Sequence, residues 1–148
     1  MASDVDTRKS TSGYMMTFTR RPVSWQSKLQ KCIALSSIEA EYITATDAVK
    51  ELLWIEKFLQ ELGLNQKTFI LYCDSKSVIH LSKNSAFHSR SKYIDVRYHW
   101  IRDALEMKIF LLEKIHTDDN GSDMMTKALT SEKLMFYSEQ AGLFSCPT

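Results

Sequence analysis

A polar start is followed by short apolar runs, and from Ile38 the apolar positions become periodic. Gly13-Tyr14-Met15-Met16-Thr17-Phe18-Thr19 is rich in aromatic and Thr residues and predicts a strand. Arg20-Arg21-Pro22 predicts a turn. Val23-Ser24-Trp25 and Cys32-Ile33-Ala34-Leu35 predict two more strands around a polar bend, as a hairpin or meander. From Ile38 the period becomes helical. Ile38, Tyr42, Ala45, Val49, Leu52, Ile55 and Leu59 recur at steps of three and four, which is one helical face. Ser36 and Glu39 fit a capping box at its start, and Gly63 closes it. Phe69 to Cys73 is a short apolar run that predicts a buried strand ending at Asp74. Ser75 to Ser82 predicts a short helix, and residues 84–93 are polar and basic. Ile94 to Met107 predicts a second amphipathic helix, with Ile94, Tyr98, Ile101 and Leu105 on one face. A strand over Phe110 to Ile115, a polar loop over His116 to Asp123, a helical start over Met124 to Leu129 and a helix over Glu132 to Ala141 complete the pattern. The order β-β-β-α-β-α-α-β-α is mixed α/β with an antiparallel start.

Composition changes this picture little. The 148 residues fit one compact domain, long enough to bury a core without a staple. With 44% hydrophobic and 25% charged residues, a mainly disordered chain is excluded. No apolar run nears the ~20 residues of a membrane span. Met1 to Ser12 is polar, so no secretory leader is expected, and the expected location is intracellular. The formal charge of +1 gives no global pull on nucleic acid, so such affinity has to come from a local patch. Cys32, Cys73 and Cys146 are far apart and show no metal spacing, which suits a reducing compartment.

Candidate chemistry rests on carboxylates. Glu39 and Glu41 both start the long helix. Measured from Ile38, Glu39 lies about 100° away and Glu41 about 60° away on the other side, so Glu41 borders the buried face while Glu39 serves the cap. Asp74 follows an apolar strand, where it is either an N-cap or a site residue outside the carboxyl end of a strand. Asp118, Asp119 and Asp123 precede a helical stretch, and Asp123 is either its cap or an oxygen ligand for Mg²⁺. The histidines, His80, His88, His99 and His116, show no zinc spacing. No nucleophile elbow and no Gly-rich phosphate loop occurs. His88-Ser89-Arg90-Ser91-Lys92-Tyr93 is either a phosphate-contacting patch or a solvated loop. Three acids from separated elements could converge on a two-metal site for in-line phosphodiester hydrolysis, but spacing alone does not make them converge.

Several stretches together resemble a known family. They are Asp4 to Tyr14, Val23 to Gln30 with its Val-Ser-Trp-Gln-Ser-Lys core, and Ala34-Leu35-Ser36-Ser37-Ile38-Glu39-Ala40-Glu41-Tyr42. Leu71-Tyr72-Cys73-Asp74-Ser75, Phe87 to Arg102 and Ser122-Asp123-Met124-Met125-Thr126-Lys127-Ala128-Leu129 continue the series. In this order they resemble the ribonuclease H domain of copia-type retrotransposon Pol polyproteins of the plant kind. The resemblance spans residues 4–143 of a single domain over 1–148, leaving a short tail at 144–148. It implies a ribonuclease H-like mixed sheet of five strands flanked by helices. It implies hydrolysis of the RNA strand of RNA–DNA hybrids with two Mg²⁺ ions (or Mn²⁺) and four carboxylates. Carried across by motif, Glu41, Asp74 and Asp123 are the catalytic metal ligands. His116 stands in a weak match to a loop that often bears a His. Nucleic-acid contacts are expected from Ser75, His88, Arg90, Lys92 and Arg97, and the reverse transcriptase domain of the same polyprotein is an expected partner.

The departures are specific. The family's first catalytic Asp lies on an opening central strand, and only Met1-Ala2-Ser3 stands in its place here. Asp4 and Asp6 match the loop after that strand, so its role is not carried to them. Tyr93 stands where the family usually has His, and Gly121-Ser122 where it usually has Leu-Ala. Without the central strand, two strand edges are expected to lie open. The expected outcome is a domain weak or inactive by itself. The alternatives are a non-catalytic nucleic-acid-binding remnant and a non-functional element fragment.

Overall fold

The computed structural model describes residues 6–83 and 100–143. It is mixed α/β, with two small sheets and four α-helices among the described residues. The chain divides into two compact units. One joins residues 1–37 to 116–148, and the other holds residues 38–115.

The first unit is built on a hairpin. β1 (Thr11–Phe18) and β2 (Arg21–Leu29) pair antiparallel, from Thr11 opposite Leu29 to Phe18 opposite Arg21. Thr19 and Arg20 form the turn, with φ of 51° and 63°. Positive φ at both central residues is the turn geometry that matches the twist of paired strands. The sequence predicted the turn one residue late, with Pro22 inside it. Pro22 instead belongs to β2, opposite Thr17 and beside the register shift at Met16/Thr17. Bulges and edges are where a strand tolerates a residue with no N–H. β2 is also one continuous strand rather than two. Residues 33–35 are not in a strand, and Ile33 and Leu35 are exposed.

The hairpin holds the turns that follow residue 116. These are two 3₁₀ turns, Thr117–Asp119 and Gly121–Met125. The second packs on β1, and Ser27 Oγ donates to the Met125 carbonyl at 2.5 Å. A Cβ on Gly13 would stand 2.6 Å from Thr126 and 2.8 Å from Met125, so β1 admits this turn only because residue 13 has no side chain. The helical start predicted over Met124 to Leu129 is therefore a 3₁₀ turn ending at Thr126. α4 (Ser131–Gln140) then starts from a Thr130 cap, whose Oγ1 accepts from Lys133 N–H. Gly142, at φ 77°, ends it.

The second unit opens with α1, which begins at Ser37 (Ser37–Glu61). That start puts Ser36 and Glu39 at the two capping-box positions. Its buried residues include Tyr42, Val49, Leu52, Ile55 and Leu59 of the predicted face. Ala45 is only half-buried, and Ile38 is 40% exposed while Ala40, two residues on, is fully buried, so the covered face at the helix start is turned away from Ile38. The end is a Schellman motif: Leu64 N–H donates to the Leu59 carbonyl and Gly63 N–H to that of Gln60, with Gly63 at φ 74°.

β3 (Ile70–Cys73) pairs in parallel with β4 (Leu111–Lys114), from Ile70 beside Leu111 to Cys73 beside Lys114. β3 is not the buried strand its apolar run predicts. Ile70 and Tyr72 are exposed, 41% and 52%, because successive side chains of a strand point to opposite faces and only the face of Leu71 and Cys73 is partly covered. α2 (Lys76–Lys83) lies against both strands. α3, helical over residues 100–106, lies within the predicted 94–107, whose first six residues fall outside the described set. Val49, Val78, Ile101 and Phe110 are the largest fully buried apolar side chains of this unit. They come from α1, α2, α3 and the approach to β4, so these elements share one core.

Candidate functional site

In the second unit the site is a strand end facing a helix start. Asp74 is the first residue after β3. It leaves the carboxyl end of the strand, where open α/β sheets present side chains to ligands. The sequence left Asp74 between capping and chemistry. The structure assigns the cap to Ser75, whose Oγ accepts from Val78 N–H at 3.3 Å while its carbonyl accepts from Ile79 N–H. Asp74 is thus relieved of the capping role. Ser75, expected to touch nucleic acid, spends its hydroxyl on the helix.

Cys73 shows which charges gather here. Burial raises its thiol pKa above the ordinary value, and the negative charges of Asp74 and Glu41 raise it further. Its hydrogen bond to the Ser75 carbonyl and the Lys114 ammonium act in the opposite sense. One thiol therefore feels both carboxylates, which brings the end of β3 and the first turns of α1 into one neighbourhood. Both acids are half-buried. Lys114, at the end of β4, donates from Nζ to the Asp74 carbonyl at 2.5 Å and to its neighbour Ile115's carbonyl at 2.9 Å. Its ammonium ties the ends of the two parallel strands together beside Asp74.

Asp123 lies in the first unit, in the 3₁₀ turn capped by Asn120, whose Oδ1 accepts from Ser122 N–H and Oγ–H. Asp123 is not the cap that the sequence allowed. Its carboxylate accepts from Lys127 Nζ at 3.2 Å, and its carbonyl accepts the Thr126 and Lys127 N–H groups. Tyr137 of α4 is buried nearby. Burial raises its phenol pKa first, then the charges of Asp123, Asp118 and Asp119, while Lys127 lowers it.

His116 takes a local role. Its Nδ1 accepts from Asp118 N–H at 3.3 Å and caps the first 3₁₀ turn, and its side chain is 72% exposed. The same nitrogen stands 3.5 Å from the Asp118 carboxylate. His88, Arg90, Lys92 and Arg97 lie outside the described residues.

Among the described residues no group of three or more His, Cys, Asp or Glu side chains is placed to hold a metal ion. Mg²⁺ keeps several waters and takes one or two carboxylates plus substrate phosphates, and Glu41 and Asp74 are the carboxylates of the second unit that could offer it oxygens. The sequence reading missed Lys114 and Lys127. The second was within reach, since Asp123 and Lys127 stand four residues apart. The first was not, because only the parallel pairing sets Lys114 beside Asp74.

No family model matches the chain, and no solved structure matches it. Curated relatives do. A retrovirus-related Pol polyprotein from transposon TNT 1-94 of Nicotiana tabacum is 53% identical over 145 residues, 98% of this chain. Two further Pol polyproteins, from transposons RE2 and RE1 of Arabidopsis thaliana, are 35% and 34% identical over 147 residues, 99% of the chain. The chain spans only about a tenth of these relatives: 11% of the first and 10% of each of the others. The chain therefore belongs with the Pol polyproteins of plant copia-type retrotransposons, matching one short segment of them over nearly all its length.

Proposed function

We propose that the chain is the ribonuclease H-like part of such a polyprotein, acting on the RNA strand of RNA–DNA hybrids. The observation that carries this reading is the position of Asp74, which leaves the carboxyl end of β3 beside Lys114 and is released from capping by Ser75. Glu41, in the same unit, acts with Asp74 on the Cys73 thiol, and the cation proposed for these carboxylates is Mg²⁺. Mg²⁺ would supply activation of a water and charge stabilisation at the phosphodiester. Glu41 and Asp74 hold and orient it, and Lys114 fixes the backbone from which Asp74 projects. Asp123, in the first unit, is carried into this reading by its motif alone. The proposed partners are an RNA–DNA hybrid and, within the same polyprotein, the reverse transcriptase domain. The proposed setting is intracellular.

The family motif that carries a further aspartate lies upstream of the stretch matched at Asp4, so the test uses two proteins. One is the 148-residue chain. The other is a longer protein, the same chain joined at its N-terminus to the family's upstream motif. The longer protein is expected to cleave a labelled hybrid in Mg²⁺ and to stop in chelator, the 148-residue chain to cleave weakly. Asp74→Asn in the longer protein abolishes cleavage. Mg²⁺-independent hybrid binding with no cleavage by either protein would replace this reading with that of a binding remnant.

A further inference from the structure

The C-terminal half of α1 carries apolar side chains on its outer face as well as its inner one. Val49, Leu52, Ile55 and Leu59 face the core, while Trp54, Phe58 and Leu62, at every fourth residue, are 60%, 45% and 57% exposed. The Trp54 and Phe58 rings stack, with centroids 5.5 Å apart and planes 5° from parallel. Together they make one flat apolar plate. Exposed apolar side chains that lie together mark a contact surface, and Trp is the residue type that most often dominates one.

The charges around the plate fit a second copy of the same helix. Lys50, Trp54, Lys57 and Glu61 are all exposed and fall within about 60° of one another around α1. They are spaced four, three and four residues apart, a pattern that reads the same in both directions. A second α1 laid antiparallel on this ridge would therefore meet it position for position. Lys50 would face the partner's Glu61 and Trp54 the partner's Lys57, and a two-fold axis repeats both contacts. Opposite charges then meet at the two ends, and an ammonium meets an aromatic face on each side of the centre. Glu51 falls beside Gln60, so no two like charges stand opposite at this register. One end of the ridge is already held, since Lys50 Nζ stands 5.9 Å from the centroid of the Trp100 ring of α3. A polyanion fits this ridge poorly, because Asp47, Glu51 and Glu61 offset its two lysines.

We infer that the outer ridge of α1 is a self-association surface, on which two copies of this chain pair antiparallel through Lys50, Trp54, Lys57 and Glu61. Glu41 and Asp74 take no part in it, so it stands independently of the ribonuclease reading. One ridge of one helix belongs to the small, transient class of interface, below about 1,200 Å². The pairing is therefore weak, with a dissociation constant above about 1 µM.

The test is sedimentation velocity of the full 148-residue chain over a concentration series reaching about 1 mM. The wild type is expected to pass from monomer to dimer and to stop there, because a two-fold contact closes on itself. Trp54→Ala is expected to raise the dissociation constant at least about tenfold. Lys50→Glu sets Glu opposite Glu at both ends and is expected to raise it at least about fourfold. Adding Glu61→Lys to Lys50→Glu restores the opposite charges in reversed order and is expected to restore the dimer. All three positions are exposed, and helical circular dichroism reports that α1 stays formed. A monomer at every concentration overturns the inference, as does an open-ended series of larger assemblies. A dimer that ignores Trp54→Ala, or a Lys50→Glu defect that Glu61→Lys fails to reverse, also overturns it.

Discussion

Cys73 is the residue whose chemistry reports on the site without needing the reaction. The thiolate is the nucleophile, so a raised pKa slows alkylation at neutral pH. Two of the causes are the charges of Asp74 and Glu41. Removing either charge lowers the Cys73 pKa and raises its thiolate fraction at a given pH. Glu41→Gln and Asp74→Asn are therefore each expected to speed alkylation of Cys73 by iodoacetamide, read by peptide mass spectrometry. The exposed Cys32, which belongs to the other unit, is the internal control and keeps its rate. If neither variant changes the Cys73 rate, the two carboxylates do not share its surroundings. At this scale helical period predicted Glu41 at the edge of the buried face, and it is half-buried, but so is Glu39, because Ile38, from which both were measured, is exposed. Asp74 was read only halfway. Asp74 and Ser75 are both good caps, and no local rule chooses between neighbours; the choice is made by where the first turn of α2 begins.

Elements were legible where local chemistry is strong. α1 and α4 both end at a glycine in the left-handed region, as the sequence indicated. Those two glycines separate a local requirement from a tertiary one. At Gly63 an added Cβ would meet nothing within 4 Å, so Gly63→Ala costs only the left-handed backbone, about 1–2 kcal/mol. At Gly142 the same Cβ would collide with the carbonyl of Arg20. Gly142→Ala is therefore expected to cost clearly more than Gly63→Ala, measured by urea unfolding of both variants. Equal costs would mean that the hairpin turn yields freely. The misread elements share another cause. Residues 32–35 and 124–129 are apolar enough to suggest regular structure. Residues 32–35 form no strand, and the turn at 121–125 is shaped by its seat on β1.

For the whole molecule the relevant quantity is where charge sits rather than how much there is. A formal charge of +1 leaves hybrid affinity to local cations, and the proposed contacts are Arg90, Lys92 and Arg97. Phosphate contacts release counterions, so each one steepens the fall of affinity with salt by about one unit in a log–log plot. Replacing all three by Gln is expected to weaken hybrid binding for every sequence alike and to flatten that slope by about three. An unchanged slope would move the phosphate contacts elsewhere on the chain. The two units also bear on how the acids were read. Glu41 and Asp74 fall in the second and Asp123 in the first, although the motifs run in one series along the chain.

Sequence by itself determined the mixed α/β class, the long helix with its glycine stop and the motif series shared with the Pol polyproteins. These depend on period, on backbone conformation available to glycine and on residue order, all of which are local or one-dimensional. Tertiary structure alone decided that Ser75 rather than Asp74 caps α2, that Cys73 lies within the influence of both Glu41 and Asp74, and that Lys114 meets the end of β3. It also decided that Asp123 sits in a turn seated on Gly13. The physical reason is that each of these is a pairing between residues far apart in the chain or a choice between equally good neighbours. Such choices are settled by packing and electrostatics in three dimensions, where residue spacing carries no weight.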